Sequence, residues 1–263
     1  MNAVFAETHE GVCHIRLNRP KQFNALNHDL LEGLAKVIDE IRDASDVRCA
    51  VLRGEGANFM AGGDIHYFHE LRNLDRAAKT DAFNSLISRV HVLVENIAAL
   101  PVPVIASVRG AAAGFGISLV AGCDLAIASE NSFFTSAYNL LGTSPDGGST
   151  YYLPRSVGMK KSMEVTLLTK RYSAREALEM GLINMVVEDS ALDDTVASTA
   201  ATIVNSASKA VANAKRLIRQ SFDNDLSTQL NCELNSFLEC MAEDDFFEGV
   251  AAFVEKRRPR FAP

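Results

Sequence analysis

The chain carries no surplus of positive charge. Its 26 Lys and Arg are outnumbered by 33 Asp and Glu, a formal net charge of −7, which argues against a general nucleic-acid or membrane-surface binder. An anionic ligand needs a local basic patch instead. The only dense one is Lys256-Arg257-Arg258-Pro259-Arg260, and composition alone reads it as a solvated tail. Long apolar runs are lacking as well: the longest, around residues 97–108, is broken by Pro101 and Pro103 and is too short to span a bilayer. The opening Met1-Asn2-Ala3-Val4 has neither the basic nor the apolar region of a secretion signal. Cys13, Cys49, Cys123, Cys232 and Cys240 are odd in number and form no CxxC, so reduced thiols in a cytoplasmic protein are the expectation.

A length of 263 residues, 48% of them hydrophobic and 22% charged, suits one large α/β domain or two modest ones. The first half alternates strand and helix signals. Residues 12–17 read as a strand. Asn27 is placed to cap a helix running to about Arg42, with Leu30, Leu31, Leu34, Val37, Ile38 and Ile41 at helical spacing. Strands follow at 49–52, 104–108 and 124–128, with helices over about 80–100 and up to Ala121. This order predicts crossover units on a mixed or parallel sheet. From Lys160 onward the pattern reads as almost wholly helical. The expected division is a sheet-containing core over residues 1–158 and a helical, oligomerising subdomain over 159–263.

Several catalytic signatures are missing. The turn Gly110-Ala111-Ala112-Ala113-Gly114-Phe115-Gly116 lacks G-x-G-x-x-G spacing, Ser118 lacks the closing glycine of a nucleophile elbow, and there is no phosphate-binding P-loop or HExxH sequence. His66 and His69 have a metal-compatible spacing without further ligands nearby, so a solvated helix face is expected and no metal. Two Gly-rich turns remain, Ala61-Gly62-Gly63-Asp64 and Gly114-Phe115-Gly116, each after a strand and before a helix. The first amides of a helix are unpaired and attract negative charge, and glycine permits close approach to the backbone. Facing each other, such turns would form an oxyanion hole; singly, each reads as a tight turn.

Five segments, in order, resemble the crotonase (enoyl-CoA hydratase/isomerase) superfamily along nearly the whole chain. They are Leu17-Asn18-Arg19-Pro20…Asn24-Ala25-Leu26, Phe59-Met60-Ala61-Gly62-Gly63-Asp64-Ile65, the Gly-rich segment ending in Cys123-Asp124, Leu141-Gly142-Thr143-Ser144-Pro145-Asp146-Gly147-Gly148, and the helix around Gly249–Arg257. The resemblance implies an α/β fold, a spiral of ββα units with a C-terminal helical region, and a trimer or hexamer acting on an acyl-CoA substrate without a separate cofactor. It assigns the Gly63 and Phe115 amides to an oxyanion hole. It assigns Lys21, Phe23 and Ala25, together with Ala61, Gly62, Asp64 and Ile65, to coenzyme A binding. Phe253 and Lys256 match residues that reach coenzyme A, often across a subunit interface.

The sequence departs from the hydratase pattern at the two glutamates that handle water. Ser118 and Tyr138 stand there, and neither is a carboxylate base at neutral pH, a tyrosine titrating near about 10. Asp146 matches the acid/base of double-bond-shifting and ring-isomerising relatives, so an enoyl-CoA isomerase is expected. A hydratase or a dehalogenase-like acyl-CoA hydrolase, in which His91 would take part, is the alternative, and a non-catalytic acyl-CoA-binding member is the alternative of another class. Besides the base, Asp146 could be a helix N-cap, and His91 a residue beside the core.

Overall fold

The fold is described from a computed structural model covering residues 2–261. Strands β1 (Val4–His9) and β2 (Val12–Leu17) form an antiparallel hairpin. Its two-residue turn, Glu10-Gly11, has positive φ at both positions, the arrangement that matches strand twist. Four parallel strands extend the sheet: β3 (Cys49–Gly54), β4 (Val104–Val108), β6 (Leu125–Ser129) and β9 (Met185–Val187), in the order β1-β2-β3-β4-β6-β9. A smaller sheet pairs β5 (Ala111–Ala113), β7 (Phe133–Thr135) and β8 (Tyr172–Ser173). Met60 adds an isolated bridge to β5 at Ala112.

The chain therefore repeats a unit: a strand in the large sheet, a pairing in the small sheet, then helix. β3 leads through Met60 to α2 (Ile65–Glu70) and α3 (Arg76–Ala99); β4 leads through β5 to α4 (Phe115–Gly122); β6 leads through β7 to α5 (Ser149–Leu168). Apolar side chains point to both faces of the large sheet. Val51, Ile105 and Ile127 pack under α7 (Leu192–Val204) with Leu192, Val196 and Ala200. Leu52, Val104, Ala106, Ala126 and Ala128 face the main core, which includes α1 (His28–Asp43) and α3. Burial on both faces is why these strands read as unbroken apolar runs. Asn27 caps α1, accepting from the Leu30 amide at 3.0 Å, and the six predicted apolar positions of α1 are all buried.

The last third is not wholly helical. Beyond α6 (Ala174–Glu179) the chain places β9 at the edge of the main sheet, and β8 pairs with β7. Strands of two and three residues are too short to show alternation, and their pairing partners lie far away in sequence. Gly158, the expected domain boundary, lies inside α5, where its φ of 76° breaks the helical path. After β9 the described residues are helical to the end of α10: α7 is followed by α8 (Ser208–Gln220), α9 (Leu226–Met241) and α10 (Asp244–Glu255). Buried Lys215 of α8 ties that run to the sheet, donating to the Val102 carbonyl and to Asp124, each at 2.8 Å. Arg219 reaches the same carboxylate at 2.7 Å.

Candidate active site

The two Gly-rich turns are held side by side by backbone bonds. The Met60 amide donates to Ala111 O and the Ala113 amide to Met60 O, both at 2.9 Å. A Cβ on Gly62, whose φ is +90°, would stand 3.2 Å from Ala113 O and 3.5 Å from Phe115 N, so only glycine fits where the turns touch. The segment before α1 closes over the first turn: Leu26 donates to Gly62 O at 2.7 Å, Ala61 to Phe23 O at 3.0 Å, and Asp64 to Leu26 O at 2.9 Å. Neither the Gly63 nor the Phe115 amide has a hydrogen-bond partner among the described residues. Phe115 opens α4 and Gly63 stands just before the cap of α2, so both amides lie at helix N-termini. Two unpaired donors on touching turns suit an oxygen bearing negative charge.

Asp64 is buried and faces inward. Its Oδ1 caps α2 from the His66 amide at 3.0 Å, and its Oδ2 accepts from Arg19 at 2.7 Å. Burial alone would push the Asp64 carboxyl up, but the bonds from Arg19, Tyr67 and His66 outweigh it and hold the group below the usual carboxylate range. Arg19 also donates to the Ala25 carbonyl. Arg19 was not foreseen as a site residue; the only hint was its place in the Leu17–Pro20 segment, because the pair spans 45 positions.

A second group gathers beside Phe115. Tyr138, in a short 3₁₀ turn, donates from Oη to Asp146 Oδ1 at 2.7 Å. Ser118 of α4 lies 3.4 Å from the Tyr138 hydroxyl and donates to the Asp146 carbonyl at 3.3 Å. Gly147 fixes the Asp146 loop against the first turn of α4: a Cβ there would meet the Phe115 ring at 2.4 Å. Burial, reinforced by the neighbouring Asp146 charge, drives the Tyr138 phenol upward. It is therefore neutral at working pH and acts as donor, with Asp146 as acceptor. The N-cap of α5 is Gly148, with no side-chain cap bond, so the Asp146 carboxylate is not spent on capping that helix.

The remaining predicted residues lie elsewhere. His91 is exposed on α3 and lines a cavity of about 810 Å³ with Glu95, Gly148, Tyr151 and Arg155; no hydrogen bond joins it to Asp146 among the described residues. Lys21 and Phe23 are exposed on the loop that closes over the first turn, Ala25 is buried beneath it, and Ile65 is half exposed at the start of α2. Phe253, 86% exposed, and Lys256 sit at the end of α10, away from this loop in sequence and without a bond to it among the described residues.

A profile of the family described as Enoyl-CoA hydratase/isomerase matches residues 7–263. The chain is 34% identical to 1,2-epoxyphenylacetyl-CoA isomerase of Escherichia coli K12, over 99% of this chain and 98% of that protein. It is 36% identical to a short-chain-enoyl-CoA hydratase of Clostridium acetobutylicum, over 98% and 97%. Its fold matches an enoyl-CoA hydratase crystal structure from Polaromonas sp. JS666 with a TM-score of 0.91 at 30% identity, covering 98% of this chain and 99% of that one. With the ββα spiral and the paired turns in place, these matches make the chain a member of the enoyl-CoA hydratase/isomerase family of the crotonase superfamily.

Proposed function

We propose that this enzyme is an enoyl-CoA isomerase that shifts a double bond or rearranges a ring in a coenzyme A thioester, with Asp146 as acid and base. The Gly63 and Phe115 amides hold the thioester oxygen. One Asp146 carboxylate oxygen takes a proton from the carbon next to the thioester. The electron pair delocalises onto that oxygen as an enolate, which the two donors stabilise. For a 3-enoyl thioester the enolate extends through the double bond, and Asp146 returns the same proton at the far carbon to give the 2-enoyl isomer. The Lys21–Ala25 loop, the backbone of Ala61–Ile65, and Phe253 with Lys256 of a neighbouring subunit bind coenzyme A in a trimer or hexamer.

The observation that carries this reading is the Asp146 carboxylate, held at 2.7 Å by Tyr138 and packed through Gly147 against Phe115, while Ser118 and Tyr138 occupy the positions where hydratases of the family carry glutamates. A single carboxylate suits a proton that leaves one carbon and returns to another. Hydration needs a second group to activate water, and the dehalogenase-like route needs a histidine, whereas His91 has no hydrogen bond to Asp146 among the described residues and lines a cavity with Tyr151 and Arg155. Product analysis on matched thioesters tests the reading. 3-Hexenoyl-CoA should become 2-hexenoyl-CoA faster than 2-hexenoyl-CoA becomes the 3-hydroxyacyl thioester. Dominant 3-hydroxyacyl product would establish a hydratase, and binding without conversion of either would mark a non-catalytic member.

A further inference from the structure

The structure assigns Tyr138 as a positioning residue: its hydroxyl fixes the orientation of the Asp146 carboxylate, acting through Asp146 and not on the substrate. This rests on Asp146 being the base.

Tyr138 is 7% exposed, and backbone bonds fix its turn. Its amide donates to Ser136 O at 2.8 Å and its carbonyl accepts from Thr143 at 3.3 Å, closing the loop that leads to Asp146. Asn139, next in the chain, ties the turn to α5 by donating to Thr166 O at 3.0 Å. The hydroxyl donates to Asp146 Oδ1 at 2.7 Å, an ordinary length for an O–H···O bond. Among the described residues its other contacts within bonding reach are Ser118 Oγ and the Asp146 carbonyl, each at 3.4 Å. Being neutral, the phenol cannot take the substrate proton, but it can hold one carboxylate oxygen and leave the other for the carbon acid.

The surroundings leave this bond without a charged competitor. Helix α4 carries no charged side chain and presents Ser118. Helix α5 contributes Ser149, which donates to the Asp146 carbonyl at 3.4 Å. Of its ionisable groups, Arg155 stacks on Tyr151, with Tyr152 in the same cavity, and Lys161 and Glu164 pair with each other at 2.7 Å. From α3, His91 and Glu95 face that cavity, and Arg89 pairs with Glu32. None of these groups hydrogen-bonds to Tyr138 or Asp146 among the described residues.

Removing the donor leaves the carboxylate free to turn away from the carbon acid, which slows the chemical step without touching substrate binding. The test follows loss of deuterium to water from phenylacetyl-CoA dideuterated at the α carbon, read by mass spectrometry, for wild type, Tyr138→Phe and Asp146→Asn. Tyr138→Phe should lower the saturated rate by roughly tenfold and leave the half-saturating concentration unchanged. Tyr138→His, whose ring can still donate, serves as a second variant; a saturated rate above that of Tyr138→Phe is expected. Circular dichroism confirms folding of each. If Asp146→Asn is inactive while both Tyr138 variants keep the wild-type rate, or if they lose only thermal stability or substrate affinity, the positioning role is overturned and the base reading stands. Full exchange by Asp146→Asn, or none by wild type, would overturn the base reading and this inference with it.

Discussion

At the scale of single residues, the site depends on groups placed by contacts rather than by sequence spacing. Asp64 joins the loop before α1 to the first Gly-rich turn, and its side chain and that of Arg19 are 10% and 16% exposed. Removing Arg19 leaves a carboxylate mostly out of water with two backbone donors in place of three partners. Arg19→Ala should cost about 2–3 kcal/mol in chemical unfolding. The pH dependence has a fixed sign. The Asp64 carboxyl is held below its unfolded value, so its stabilisation is full above roughly pH 4 and fades as pH falls through the folded value. Arg19→Ala should therefore flatten the acid side of the stability profile; an unchanged acid limb would show that the pair contributes nothing. Asp146 was visible as a carboxylate in a suggestive loop, but its hydrogen bond to Tyr138 was not, because a 3₁₀ turn and an irregular loop carry no periodic pattern that would place two side chains together.

At the scale of elements, the two strand-to-helix turns carry the proposed oxyanion hole. Their resemblance to each other was legible, since glycines after an apolar strand and before a helix have few uses. Their contact was not, because it depends on Met60 pairing with Ala112 across 52 positions. Gly63→Pro removes one proposed donor. The Gly63 site already lies against the Phe68 ring, where a Cβ would approach to 2.6 Å, so that ring must shift. Turnover in the folded variant should fall by roughly 10²–10³-fold; full activity would remove Gly63 from the oxyanion hole. Long elements were legible: α1 announces itself by cap and period, the helix expected over about 80–100 is α3, which starts earlier at Arg76, and the strand expected over 104–108 is β4. β8 and β9 escaped because their residues are strand only by virtue of a neighbour.

At the scale of the whole molecule, the last two helices leave many apolar side chains uncovered. Leu226, Leu230, Leu234 and Phe237 of α9 and Phe247, Phe253 and Val254 of α10 are all more than half exposed, as residues of an interface between subunits would be. Light scattering at micromolar concentration should give three or six times the 28.5 kDa chain mass; a clean monomer would contradict the assembly and the role of Phe253 and Lys256 in a neighbour's site. The account as a whole stands on Asp146 being the base of that assembled enzyme. Its most direct test is Asp146→Asn, assayed for conversion of 3-hexenoyl-CoA alongside coenzyme A affinity and thermal unfolding. Asparagine keeps the shape and can still accept from Tyr138, but it cannot take a proton. The account predicts that turnover is abolished while affinity and melting temperature stay near wild type. Turnover near the wild-type rate would contradict it.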